Sequence, residues 1–291
     1  MKNGFSVFMA AFIALGLSWC GFVLGPVEQL GTAKQTSVLN SSDTYPVQRP
    51  GDATLGLQVY RASGCAACHT EQVRQDGVVC DVVLTSAGKN PTAVIQTITS
   101  DYPTNIPINW IIDNKKDGIT HNNLTGTFLH GVNQLAADDI VQKISTAGGK
   151  AEIRIVPVGT DIARGWGVRR SVAADFLYDY PVQAGSLRAG PDLANVGARL
   201  PDLNWQLVHL YAPAAVVKNS AMPPFRFLFE LRKLGDAPLP DALQFPKDFP
   251  PPAGFEVVPT PEAKQLAAYL LNLKADAPLY EAPFTPVMTK P

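Results

Sequence analysis

Cysteine, histidine and charge are all scarce in this chain. Its 291 residues include four cysteines, Cys20, Cys65, Cys68 and Cys80, too few for a disulfide scaffold. The four histidines, His69, His121, His130 and His209, form no H-x-x-x-H pair, so the spacing gives no support for a histidine-rich metal site. Charged residues make up 17 % and the net charge is −1, which removes the electrostatic case for nucleic acid. No set of acids, bases and nucleophiles is spaced as a catalytic constellation. Proline, in contrast, is plentiful, with 25 residues, many of them in "APLPDALQFPKDFPPPAGFEVVPTP" (237–261). Proline neither continues a helix nor pairs inside a sheet. The stretch therefore reads as an extended arm held against the body, or as a flexible linker.

The N-terminal run "GFSVFMAAFIALGLSWCGFVLG" (4–25) has 22 residues and no charge. A helix of about 20 apolar residues spans the hydrocarbon layer. A cleaved signal peptide has a shorter apolar region and a small-x-small site, which "FVLGPVEQLG" does not offer. The run reads as an uncleaved anchor, with Cys20 an apolar helix residue. Lys2 precedes it and no basic cluster follows closely, which points the bulk of the chain outward. The expected location is the bacterial inner membrane, single-pass, with the body on the periplasmic side.

In "YRASGCAACHTEQVR" a helix starting near Leu55 is expected to break or tighten at Gly64. Cys65, Cys68 and His69 stand at i, i+3 and i+4, one face of a helical turn. Two thiols can then bond the vinyl edges of a porphyrin while the imidazole reaches the iron. This is the haem c attachment pattern. A zinc site would want a second C-x-x-C or a histidine pair, and a redox dithiol would want a βαβ context. Neither is visible.

A haem iron needs a sixth ligand or an open site. Beyond the anchor the methionines are Met222 and Met288. Met222 stands in "KNSAMPPFRF", stiffened by Pro223 and Pro224. Met288 lies in the proline-rich tail. Met222 is the expected ligand and His209 the alternative. Histidine–methionine ligation raises the potential and leaves no position for oxygen. Pro191, in "AGPDLANVGARL", is the candidate carbonyl for the imidazole Nδ1 proton. Arg188 and Arg199 are candidates for the haem propionates, or solvated surface charges. A helix is expected over "TPEAKQLAAYLLNLK" (260–274), with Thr260 capping, Pro261 first and Glu262 facing the dipole. Its stripe is Leu266, Ala267, Leu270, Leu271 and Leu273, with Tyr269 adding bulk. Small cytochromes c close with such a helix crossing the first.

The stretches "YRASGCAACHTEQVR", "LYDYPVQAGSLRAGPDLANVGAR" and "HLYAPAAVVKNSAMPPF" resemble the membrane-anchored mono-haem subunit of cbb3-type cytochrome c oxidases. The resemblance covers the anchor, 51–75 and 161–275. It implies one haem c on Cys65 and Cys68, with His69 and Met222 axial. It also implies a partner, the integral haem–copper catalytic subunit, alongside other cytochrome c subunits or donors. By this reading the chain is not an enzyme alone but an electron-transfer subunit. The alternatives are a membrane-anchored gas-binding sensor, which would need an open sixth position, and a free-standing shuttle.

About eighty further residues interrupt that pattern. "CDVVLTSAG" (80–88) and "KAEIRIVPV" alternate as strands. "NPTAVIQTITSDY", with Asn90 as cap, and "LAADDIVQKISTAGG" read as helices. "DVVLTSAGKNPTAVI" and "GVNQLAADDIVQKISTAGGKAEIRI" resemble the C-terminal domain of the bacterial ribosomal stalk protein, a resemblance that implies the compact fold and from which no activity is carried over. The block is a docking module or a neutral filler, and Cys80 a small buried residue. The expected architecture is mainly α. A transmembrane anchor (1–30) precedes a discontinuous class I-like cytochrome c domain (31–79 and 158–275). An α+β insertion (80–157) interrupts that domain, and a proline-rich tail (276–291) follows it.

Overall fold

The computed structural model describes residues 4–30, 34–103 and 125–286. Helix α1 (Gly4–Trp19), a π turn (Cys20–Leu24) and α2 (Gly25–Leu30) follow one another without a break. Among the described residues, Gly4–Glu28 is the one helical run long and apolar enough to cross a membrane. Its 25 residues reach about 37 Å at 1.5 Å each. The π turn sits just before Pro26, whose ring clashes with the usual i−4 carbonyl. The Gly25 N–H reaches Cys20 O, five residues back, a widening that carries the helix past the proline.

Strands β1 (Thr36–Ser37) and β2 (Thr44–Tyr45) pair antiparallel ahead of α3 (Gly51–Ala62). That helix starts four residues before the expected Leu55, because Pro50 takes the N-cap position and Asp52 complements the first turn. Its buried positions are Ala53, Gly56, Leu57 and Tyr60, the i, i+3, i+4, i+7 stripe of a half-buried helix. Gly64 then takes the left-handed conformation, φ +71°, and the chain tightens into a 3₁₀ turn, Cys65–Ala67.

The interrupting block has a core of its own. Strands β3 (Gly77–Ser86), β4 (Gly126–Val132) and β5 (Lys150–Val158) form an antiparallel sheet in the order β4-β3-β5. Helices α4 (Pro91–Asp101) and α5 (Gln134–Thr146) supply Val94, Ile98, Ile140 and Ile144 to Val82 and Leu84 of β3. Both helices are capped by asparagine: Asn90 accepts from Ala93 N at 3.2 Å and Asn133 from Ala136 N at 2.9 Å. Strand β4 was not expected, since "GTFLHGV" shows no apolar–polar alternation. Strand β3 also begins three residues before Cys80. The middle of the block, 104–124, lies outside the described residues.

After β5 come α6 (Thr160–Ala163), α7 (Val196–Arg199), α8 (Leu203–Tyr211), α9 (Pro213–Val216), β6 (Phe229–Lys233), β7 (Phe255–Pro259) and α10 (Pro261–Asn272). Thr260 caps α10 and Pro261 takes its first position. The helix buries Ala263, Leu266, Ala267, Tyr269 and Leu270 against α3. The two backbones meet at Gly56. A Cβ there would lie 2.6 Å from the Gln265 carbonyl carbon and 2.8 Å from Tyr269 Cβ. The Tyr60 and Tyr269 rings pack beside this crossing, with centroids 5.1 Å apart.

The proline-rich stretch is an arm clamped to the body. Strands β6 and β7 pair antiparallel, and the chain between them is tied down along its length. Asn204 exchanges hydrogen bonds with the Gln244 backbone at 2.8 and 2.9 Å. Leu243 N donates to Val257 O at 2.9 Å. Phe245 sets its edge on Tyr211, with centroids 5.6 Å apart. The described part of the tail is packed too. Leu279 and Ala282 are buried with Val172, and Thr285 exchanges two 3.0 Å hydrogen bonds with the Ile155 backbone.

Candidate functional site

The turn after α3 presents three side chains differently. Cys65 is half-buried against the main core, Cys68 is exposed, and His69 N donates to Cys65 O at 3.0 Å. Burial pushes the Cys65 thiol up to about 12. A redox dithiol or a thiolate metal site wants the opposite shift.

His69 meets a segment more than a hundred residues away. Its Nδ1 lies 2.8 Å from Pro191 O. A carbonyl oxygen only accepts, so Nδ1 carries the proton of this bond and Nε2 points away from it. Two backbone bonds hold the segments together: Gly190 N to Cys68 O at 3.0 Å and Leu193 N to Thr70 O at 2.7 Å. Gly190 lies flat against the imidazole. A Cβ there would come within 2.7 Å of Nδ1 and 2.9 Å of Nε2.

His69 opens onto a cavity whose walls include Leu193, Val196, Leu266, Leu270 and Trp205. Met222 lines it as well. The loop that carries Met222 is fixed at several points. Asn219 is left-handed at φ +60°, Ser220 Oγ accepts from Met222 N at 3.3 Å, and Phe225 N donates to Leu210 O at 2.8 Å. Asparagine tolerates that backbone better than other side chains, and the two prolines that follow restrict it further.

Arg199 also lines the cavity. Its Nη2 donates to Asp192 O at 2.7 Å, while its Nε is buried without a partner. Arg188 does not line it. Its Nη1 bonds both Asp161 oxygens at 2.7 Å, while its Nε, like that of Arg199, is buried without a partner. His209 shares the cavity wall, stacked on Trp205 with centroids 4.9 Å apart. Burial, and then the nearby His69, lower its pKa to about 4, so its ring is neutral. His130 is away in the insertion, paired with Asp81 at 3.2 Å. His121 and Met288 lie outside the described residues.

Sequence reasoning missed Gly190, although it stands next to Pro191. It also missed Glu71, whose carboxylate is 2 % exposed and accepts from Tyr269 Oη at 2.9 and 3.0 Å. Burial raises its pKa to about 8. Nothing in "HTEQ" marks that glutamate as buried, because its partner is 198 positions away.

Residues 152–244 match the family described as cytochrome C oxidase, mono-heme subunit/FixO. The match spans about a third of the chain. It contains Pro191, Arg199, His209 and Met222 and leaves out Cys65, Cys68 and His69. No curated protein matches the chain. The fold joins the C-x-x-C-H turn to the matched segment, at the bond between His69 and Pro191.

Proposed function

We propose that the chain is the electron-transfer subunit of a cbb3-type terminal oxidase. It would bind one haem c covalently through Cys65 and Cys68, with His69 and Met222 as axial ligands. The observation that carries the reading is the convergence just described. A C-x-x-C-H turn outside the family match and a methionine inside it face one apolar cavity, with the imidazole fixed as its Nδ1–H tautomer.

The residues fit the group. Gly190 leaves room for a flat-lying imidazole that any Cβ would displace. Arg199 has a buried Nε ready for a carboxylate, and a guanidinium suits a propionate. Leu193, Val196, Leu266 and Leu270 give an apolar wall. Haem c supplies a one-electron iron couple. Pro191 holds the proton on Nδ1 and makes Nε2 the donor to iron. The Met222 thioether, on its restricted loop, would hold the iron's remaining position, raising the potential and closing it to oxygen. The apolar wall would favour the less charged reduced state of the bound group. In this reading the haem carries the redox chemistry and the chain's task is to hold it and pass electrons.

The anchor-like helix and the family match support a partner within a membrane complex, the integral haem–copper subunit. In this reading the body faces the periplasm of the inner membrane. The visible and near-infrared spectrum of the purified protein tests the assignment. Six-coordinate low-spin iron with a weak methionine–iron band is expected. A high-spin spectrum with ready carbon monoxide binding would instead support the gas-binding reading.

A further inference from the structure

The insertion is wired to the segment that carries His69. Strand β5 ends at Val158, and three residues later comes Asp161, only 3 % exposed. Its carboxylate accepts from Arg188 on both oxygens at 2.7 Å and from Arg74 N at 2.8 Å. Arg188 Nη2 donates onward to Gln72 O at 2.5 Å and lies 3.7 Å from Asp192 Oδ2. Asp192, fully buried, accepts from Thr70 Oγ1 at 2.6 Å, from Gln72 N at 2.8 Å and from Ala194 N at 2.9 Å. These bonds bracket the 2.8 Å contact between His69 Nδ1 and Pro191 O.

We propose that Asp161 and Arg188 are a positioning pair for His69, holding the Pro191 carbonyl to its imidazole from the root of the insertion. The inference rests on the haem reading above. Two buried carboxylates share one guanidinium here. A lone buried carboxylate is costly, and Arg188 supplies the positive charge that lies against both while it bridges residues 72, 161 and 192. The planar fork is needed, because a lysine offers one point of charge where Arg188 reaches two oxygens and a carbonyl at once. Arg188 therefore acts on the iron ligand through Pro191.

The test uses the full-length protein in mild detergent and compares it with Asp161→Asn and Arg188→Lys. Covalent haem content is measured first. Solvent exchange of the His69 Nδ1 proton in the reduced state and the reduction potential follow. Both variants are expected to carry haem and to exchange that proton several-fold faster, up to about tenfold, as a local hydrogen bond loosens. The potential should rise, since a less firmly bonded imidazole donates less to ferric iron. Arg188→Lys keeps the charge, so a shift there reports geometry. It decides the matter if Asp161→Asn fails to accumulate. Haem-loaded variants with parental exchange and potential, and only a lowered melting temperature, would overturn the inference alone. A parent chain without covalent haem would overturn the haem reading and this inference together.

Discussion

Gly190 and His69 touch face to face, backbone against imidazole, with no space for a side chain between them. The ring cannot tilt toward the 188–192 segment without collision, and Pro191 O holds its Nδ1 edge. Gly190→Ala therefore pushes the ring out of place. The expected result is loss of most covalent haem or of the low-spin spectrum, read by haem stain and absorbance. Normal haem content with an unshifted spectrum would show that the ring has slack.

Met222 and His209 line the same cavity and differ in what their removal should do. Met222→Ala should abolish the methionine–iron band, lower the potential and let carbon monoxide bind. His209→Ala should keep the band and lose only the stacking on Trp205. The opposite pattern in the near-infrared spectrum would exchange their roles.

At the crossing of α3 and α10 the close approach depends on Gly56. A Cβ there meets backbone as well as the Tyr269 side chain, so the helices must separate. Overpacking of this kind costs about 1–3 kcal/mol. Denaturant unfolding of Gly56→Ala should show that loss, and an unchanged midpoint would mean the helices shift freely.

Arg169 is fully buried and joins three segments. It pairs with Asp175 at 2.8 Å, donates to Ala277 O at 2.6 Å and lies 5.5 Å from the Tyr45 ring centroid. Arg169→Met removes one partner and leaves the Asp175 carboxylate buried. The expected destabilisation is about 3–5 kcal/mol, measured by thermal or urea unfolding. A change below about 1 kcal/mol, the range of exposed pairs, would place the pair effectively in water.

The elements with local signals were legible. The anchor-like run, the asparagine cap at Asn90, and the Thr260–Pro261 start of α10 are written in adjacent residues. The alternation in β5 was equally plain. What the sequence hid depends on distant partners. Leu55 was read as the start of α3 because the apolar pattern begins there, whereas Pro50 and Asp52 set the true start. Strand β4 forms because β3 offers it an edge, not because its own seven residues alternate. The ion pair of Arg188 with Asp161, 27 positions earlier, left no local signal either. The contact of His69 with Pro191 was expected from chemistry. The glycine that makes room for it was not, because close approach leaves no mark in composition.

Mass analysis of the native chain tests the central claim most directly. Proteolysis should yield one peptide containing Cys65, Cys68 and His69 whose mass exceeds the sequence value by that of one haem, held through denaturation. The same peptide at its unmodified mass, with both thiols free to alkylation, would contradict the account.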